Sequence, residues 1–455
     1  GRRSWPVRAR TQGNASAMLA KPEATYIAEV DSSGRRQLMR AIGICRLSCA
    51  LGLMTVVSGC TSSIKPPVVL KIVRTVNTAE TVTTEDYDRV RKVTEEVIDN
   101  IKGVDASIRP QLTLSSRENF IEEISKQTRS GFGPDLLITD SDTALELYRR
   151  KLVDPIELTP EDRSNIPQHL FDLATAADGN VVGRPVNQFI QLACFNTERL
   201  AAAPTTLEAL RSASDDGNFG LALQLKDLFW SAEAFDAGDA FEAAFDQKGA
   251  NAEQRRKVTD WLQWLESASY QQNIRFLSNQ SSLREALIAG EMDWITCWSS
   301  NLRQLREAMD DKLGVAPLPQ GPSKRLKAAT RLQVWSLGRN SSPMQRRKAL
   351  VLTDFISKPW AQKTYALTSR TSLPVHRKAA RIVASKIPGG TEALVMYSQK
   401  ANEEKAAEGQ IKARVFRDPE QYATISEALL DTVYDVITPE EATEDILESL
   451  QESRR

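Results

Sequence analysis

Histidine is nearly missing from this chain: two in 455 residues, His169 and His376, each close to a proline in loop-like sequence. That scarcity argues against the His-based acid–base and metal chemistries, and none of the usual catalytic signatures replaces them. There is no HExxH, no GxSxG nucleophile elbow, no phosphate-binding GxxxxGK[ST] and no GxGxxG dinucleotide fingerprint. A carboxylate-pair glycosidase needs no histidine, but its two acids would have to be drawn from 59 with no motif to mark them. Charge of one sign is also lacking: 59 basic side chains face 59 acidic ones, interspersed, so no electrostatic footprint for nucleic acid is present. The five cysteines include no close pair of the zinc-binding kind, and no internal repeat or long low-complexity tract is visible. Aromatics are sparse, at 6%.

What is present begins with a leader. From Met39 the chain reads MRAIGICRLSCALGLMTVVSGC: Arg40 and Arg46, an apolar core from Leu47 to Val57, small Ser58 and Gly59, then Cys60. Charged, apolar and small residues in that order form a secretory signal. The core falls short of the ~20 residues that span a bilayer. The competing signal-anchor helix, Ala41 to Gly59, would carry Arg46 inside the membrane at a cost of about 2.5–3.5 kcal/mol near its centre. Residues 1 to 38 lack an initiator Met and read as an upstream extension, or as a disordered cytoplasmic tail if translated. Without residues 1 to 59 the rest is mildly acidic, 50 basic groups against 56 acidic. Of the cysteines after the leader, Cys194 and Cys297 either pair in an oxidising compartment or sit as lone core thiols.

After Pro66-Pro67 the pattern alternates strand and helix. VVLKIVRTV is a β-branched strand; Thr84 caps a helix carrying Tyr87, Val90, Val93, Val97 and Ile101 to Gly103. ASIRPQLTL follows as a second strand. Ser115 with Glu118 reads as a capping box for a helix turning Phe120, Ile121 and Ile124 inward. PDLLITD, residues 134 to 140, is a short apolar run of the buried parallel kind, with a helix from about Asp142 to Leu152 behind it. Further on, 252–268 and 281–290 are helical, EMDWITCWSS and LQVWSLG are strands, and Ser342-Pro343 opens a helix bearing Ala349, Leu352 and Phe355. Thr438 with Glu441 caps a final helix packing Ala442, Ile446 and Leu450. Such alternation predicts βαβ units and doubly wound sheets in an α/β chain of two lobes.

Val57-Ser58-Gly59-Cys60 resembles the lipobox of bacterial lipoproteins, in which the cysteine is acylated and becomes the mature N-terminus. Residues 60 to 67 would then be its tether, with Thr61, Ser62 and Ser63 as the flexible polar part. Taken in order, PDLLITDSDTALELYRRKLVDPI, VVGRPVNQFIQLACFNTERL, APTTLEALRSA, LREALIAGEMDWITCWSS, LGVAPLPQGP, TSLPVHRKA and ITPEEATEDILESLQE are similar to the solute-binding proteins of bacterial ABC importers, of the maltose-binding type. These segments run over roughly 68 to 450; each is weak alone, and their order carries the likeness. One departure concerns the residues after the first strand, where many sugar binders place a tryptophan and this chain has Arg74, Thr75 and Asn77.

The resemblance implies a two-lobed type II binding-protein fold joined by crossing hinge strands, with lobe 1 from 68–190 and 291–330 and lobe 2 from 191–290 and 331–455. It implies a monomer, lipid-anchored at Cys60 and facing the periplasm or cell exterior, without a cofactor. A sugar, oligosaccharide or polyol-like solute would be captured in the interlobe cleft and delivered to an ABC permease, by binding rather than catalysis. A secreted glycan hydrolase, or a sensor or scaffold on the same fold, is the alternative. Cleft candidates are placed accordingly. Asp140 ends the third strand, as a hydroxyl acceptor or as a helix N-cap. Asn187 and Gln188 at the crossover supply amides, or only loop polarity. Trp230, Trp298 and Trp335 supply aromatic platforms or core. Trp335 is read as following the chain's return to lobe 2. Trp261 and Trp264, on a helix, are read as packing residues.

Overall fold

The computed structural model describes residues 66–76, 84–116, 118–245, 249–322, 330–386 and 419–452. Cys60 and the leader lie outside them. Lobe 1 opens with β1 (Val68–Val76), α1 (Thr84–Asp99), β2 (Ile108–Ser116), α2 (Phe120–Arg129), β3 (Leu136–Asp140), α3 (Ser141–Arg149) and the short β4 (Val153–Asp154). Helices α4 (Pro160–Asn165) and α5 (Gln168–Asp172) lead into β5 (Arg184–Asn196). The chain then builds lobe 2: α6 (Leu207–Ala213), β6 (Phe219–Ala222), α7 (Leu225–Ala234), α8 (Ala237–Phe245), α9 (Ala252–Ser269), β7 (Ile274–Leu277), α10 (Gln280–Ile288), β8 (Trp294–Trp298), α11 (Leu302–Met309) and β9 (Leu313–Ala316). It returns through β10 (Thr330–Gly338), α12 (Pro343–Ser357), α13 (Pro359–Ser369), β11 (Leu373–Pro374) and α14 (Arg377–Lys386). Helices α15 (Pro419–Val433) and α16 (Pro439–Glu452) end the described chain.

β5 is what joins the lobes. It is thirteen residues long, and it changes partner midway. Residues from Arg184 to Ile190 pair antiparallel with β10, whereas Gln191 to Phe195 pair antiparallel with β8. The strand order is therefore continuous, β2-β1-β3-β10-β5-β8-β6-β7. Parallel pairs β1–β2, β1–β3, β6–β7 and β6–β8 carry the helical crossovers expected of buried parallel strands.

This pairing corrects the division of the chain into lobes drawn above. β8 hydrogen-bonds to β6 and so belongs to lobe 2, not lobe 1. β10 pairs with β3 as well as β5 and so belongs to lobe 1. Strand alternation marks that a segment is a strand but not which sheet it joins, because the partner is distant in sequence.

Each lobe has its own core. In lobe 1 the face of β1, β3 and β10 bearing Ile72, Ile138 and Trp335 packs on Val97 of α1, Ile356 of α12 and Ala361 of α13. In lobe 2, Trp230, Trp261, Trp264 and Trp294 gather around α7, α8 and α9, closed over by Ile446 and Leu450 of α16. Helix starts follow local chemistry. Ser342 caps α12 with Gln345 completing the box, and Thr438 caps α16 with Glu441. The expected Ser115–Glu118 box does not form: Ser115 is still in β2, Asn119 precedes α2, and the Ser115 hydroxyl meets Glu123 instead at 3.0 Å.

Cys194 and Cys297 form a disulfide between β5 and β8, Cα–Cα 5.9 Å, buried beside Leu192 and Ile295. A disulfide there fits an oxidising compartment. Among the described residues no helix is long and apolar enough to cross a membrane.

Candidate functional site

The site is built where β5 passes between sheets. Register sets Arg331 opposite Phe189 and Gln191 opposite Trp298. Phe189 and Trp298 pack on each other as a small cluster separate from both cores. The Arg331 guanidinium lies over the Trp298 ring, 4.6 Å from its centroid, a cation–π contact. Trp298 Nε1–H donates to Asp227 Oδ1 at 2.8 Å, and Gln191 Nε2–H donates to the Asp227 carbonyl at 2.8 Å. Asp227 stands in the first turn of α7, where a carboxylate is favoured by the helix dipole, and is 1% exposed.

Lobe 1 brings β3 to the same neighbourhood, since Gln333 of β10 pairs with Asp140 on one side and Asn187 on the other. Asp140 caps α3, its carboxylate accepting from the Thr143 amide at 2.9 Å. Tyr422 of α15 connects the two sides electrostatically. Burial raises its hydroxyl pKa, and the carboxylates of Asp142 from lobe 1 and Asp227 from lobe 2 push it further the same way. A second polar contact joins the lobes directly. Asp86 of α1, itself buried, accepts from Arg303 Nη2 at 2.9 Å and from Gln304 Nε2 at 3.1 Å, both on α11. Arg89 adds an ion pair to Glu307 at 2.6 Å.

The six candidates from sequence do not form one constellation. Trp298 sits at the crossing, with its indole fixed by Asp227. Asp140 is at the carboxyl end of β3, an interior strand of the lobe 1 sheet, engaged as a cap. Asn187 and Gln188 point to opposite faces of β5, as successive strand residues must. The Asn187 amide donates to Gln333 Oε1 at 3.1 Å and the Gln188 amide to the Pro374 carbonyl at 3.3 Å. Trp230 is packed in the lobe 2 core, 1% exposed, with no hydrogen-bond partner for its indole N–H. Trp335 is corrected in place: it lies in the lobe 1 core, 4% exposed, because β10 returns to lobe 1 rather than lobe 2. Asp227, Arg331 and Tyr422 were missed; a lone acid, cation or phenol carries no motif, and only the non-local pairing assembles them. Among the described residues no group of three or more His, Cys, Asp or Glu is placed to hold a metal ion. The crossing brings together an aromatic ring, a cation, carboxylates and amides, the kinds of group that recognise polar solutes, with Trp298, Asp227 and Gln191 buried and engaged with one another.

Residues 115–388 match the family model of the bacterial extracellular solute-binding proteins, and the chain belongs to that family. Its members bind solutes outside the cytoplasm. Among solved structures the chain is similar to the GacH receptor of Streptomyces glaucescens, described without ligand and with acarbose. The identity is 12% over 84% of this chain and 97% of that one, with a TM-score of 0.66. It is similar to MalX from Streptococcus pneumoniae in complex with maltopentaose, at 15% identity, 84% and 100% coverage and a TM-score of 0.64. A third is a solute-binding protein of an ABC transporter from Thermotoga lettingae, bound with α-D-tagatose, at 14% identity, 84% and 99% coverage and a TM-score of 0.61. At these identities the likeness establishes the two-lobed fold. A search of the curated proteins gives no match.

Proposed function

We propose that this protein captures a carbohydrate or polyol-like solute between its lobes and hands it to an ABC permease, without chemical change. The observation that carries the reading is the Asp227–Trp298–Arg331 assembly at the point where β5 crosses between sheets. It joins an aromatic ring, a carboxylate and a cation at the hinge, where both lobes can reach one ligand. The sugar complexes of the similar structures favour a carbohydrate among possible solutes. Closure works as a population shift: the solute favours whichever lobe arrangement it contacts more fully, and the permease reads that arrangement.

On this reading Cys60 carries the lipid that keeps the binder near its importer. One acyl chain holds a protein only marginally, so at least two are required. Cys60→Ser releases the protein into the soluble fraction or leaves it unprocessed; a normal anchored form would contradict the anchor. The binding role is tested by titrating the full chain with neutral sugars, polyols, amino acids and polyamines while following tryptophan emission. Saturable one-site binding of a sugar or polyol with unchanged ligand is expected, and turnover detected by mass spectrometry would replace the binder with a hydrolase.

A further inference from the structure

β1, β2 and β3 run parallel, so their amino ends gather at one end of lobe 1, opposite the carboxyl ends that approach the crossing. β10 is antiparallel to β3 and brings Gly338 and the start of α12 to that same end. Hydrogen bonds tie the end together. Val68 N–H donates to the Ser107 carbonyl at 2.8 Å and Lys71 N–H to Asp135 Oδ2 at 2.8 Å. Gln345 Nε2 donates to the Val69 carbonyl at 3.3 Å, and Gly133 N–H to Asn340 Oδ1 at 3.2 Å.

Four of the eleven large apolar side chains exposed among the described residues stand here: Val69, Val104, Phe132 and Met344. Single exposed apolar residues are ordinary, but several gathered at one end mark a contact surface. Cations accompany them. The Lys71 ammonium lies 5.8 Å from the Phe132 ring centroid, and Arg347 Nη2 reaches Met344 Sδ at 3.7 Å. Lys71, Arg129, Arg339 and Arg347 make no ion pair among the described residues, whereas Asp105 and Asp154 at this end are held by Lys348 and Arg346. Exposed apolar groups with unbalanced positive charge suit the boundary of an anionic bilayer. The corresponding end of lobe 2 has the opposite character. Tyr270 and Tyr434 are exposed there, but the Tyr270 hydroxyl hydrogen-bonds to Asp435 with Glu266 close by.

The described chain begins at the lobe 1 end, with Pro66 two residues before β1. Residues 61–65 are all that separate Pro66 from Cys60. Fully extended, so short a stretch reaches about 20 Å. A lipid on Cys60 would therefore keep this end of lobe 1 close to the bilayer. We propose that the end of lobe 1 bearing Val69, Val104, Phe132 and Met344 is a docking surface for an anionic phospholipid bilayer. Its proximity to the membrane rests on the anchoring of Cys60 proposed above. The apolar side chains enter the headgroup boundary and the cations meet lipid phosphates. Docked in this way, the carboxyl ends of the lobe 1 strands point away from the membrane, toward arriving solute.

Photolabelling from the lipid phase tests the surface. The full chain is bound to vesicles of equal parts phosphatidylglycerol and phosphatidylcholine that carry a diazirine phospholipid. Mass spectrometry then reads the labelled peptides and the acylation of Cys60. Peptides carrying Phe132 and Met344 should be labelled, and at least tenfold less so with phosphatidylcholine alone or in high salt. Phe132→Glu with Met344→Glu should cut this labelling about tenfold at unchanged melting temperature, because both side chains are exposed. Lys71→Gln with Arg347→Gln should remove most of the salt dependence. Labelling confined to residues before Pro66, spread evenly over both lobes, or unaltered in the Glu variant would overturn the surface. An acylated Cys60 in that case leaves the anchor standing. Labelling at Phe132 and Met344 with Cys60 unacylated would instead keep the surface and defeat the anchor. Dimers that the Glu variant abolishes, without lipid labelling, would assign the surface to a second copy of the chain and overturn the lipid assignment.

Discussion

Asp227 and Trp298 stand 71 residues apart and meet where β5 leaves one sheet for the other, the buried indole N–H donating to the buried carboxylate at 2.8 Å. Removing the acceptor leaves a buried donor unpaired, a cost of about 1–3 kcal/mol, and frees a ring that the carboxylate holds in place. Asp227→Ala should therefore weaken solute binding by about tenfold or more, whereas Asp227→Asn, which keeps an acceptor, should stay within about threefold. Calorimetric titration separates the two, and equal losses in both variants would mean that charge rather than ring orientation matters.

Asp86 links α1 of lobe 1 to Arg303 and Gln304 of α11 in lobe 2. This contact exists only while the two helices are together, so it biases the lobe equilibrium toward the arrangement seen here. Asp86→Asn should weaken solute binding by about 5- to 30-fold, equivalent to about 1–2 kcal/mol. It should also increase the radius of gyration in small-angle scattering without solute. Unchanged scattering and affinity would show that the contact has no part in closure.

The Cys194–Cys297 bridge spans 103 residues of sequence and ties the two strands at the lobe 2 side of the crossing. Constraining so long a loop in the unfolded chain is worth about 2–5 kcal/mol. The double variant Cys194→Ala with Cys297→Ala should lower the urea midpoint accordingly while leaving the bound state intact. Reductant should lower the melting temperature of the wild type and not that of the variant.

Asp105 and Lys348 join the β2 approach to α12 at 2.5 Å. The Lys348 ammonium, helped by the Ser107 hydroxyl and amide, lowers the Asp105 pKa from 3.8 to about 2. A carboxylate more acidic in the folded than in the unfolded chain adds stability above pH 4 and loses it as pH falls through 2. Solvent screening reduces the linkage to about 1 kcal/mol. Asp105→Asn should cost about that much at pH 7, with the gap to wild type closing between pH 4 and 2 in denaturant titrations.

Much of the fold was legible locally. PDLLITD is β3 because an unbroken apolar run suits a strand buried on both faces, and SSPMQ starts α12 because Ser, Pro and Gln occupy the N-cap, N1 and N3 positions that the helix start requires. The lobe of β8 and β10 was not legible, because sheet membership is set by partners far along the chain. Ser115–Glu118 misled for a related reason: pairing with β1 extends β2 through Ser116 and overrides a local capping signal. At the site, Trp298 could be singled out as an aromatic at a strand end. Trp230 and Trp335 could not be told from core, since a buried ring and a ligand platform have the same sequence. Arg74 stood out as a departure after the first strand, but that it has no acid partner among the described residues is visible only in three dimensions.

The central claim is capture without chemistry by two lobes closing on one solute. Small-angle scattering of the full chain, recorded while a sugar found by the emission titration is added and followed by mass spectrometry of the same ligand, tests it most directly. The account predicts a saturable contraction at one solute per chain, with the ligand recovered unchanged. Binding without contraction, or a ligand converted to product, would contradict it.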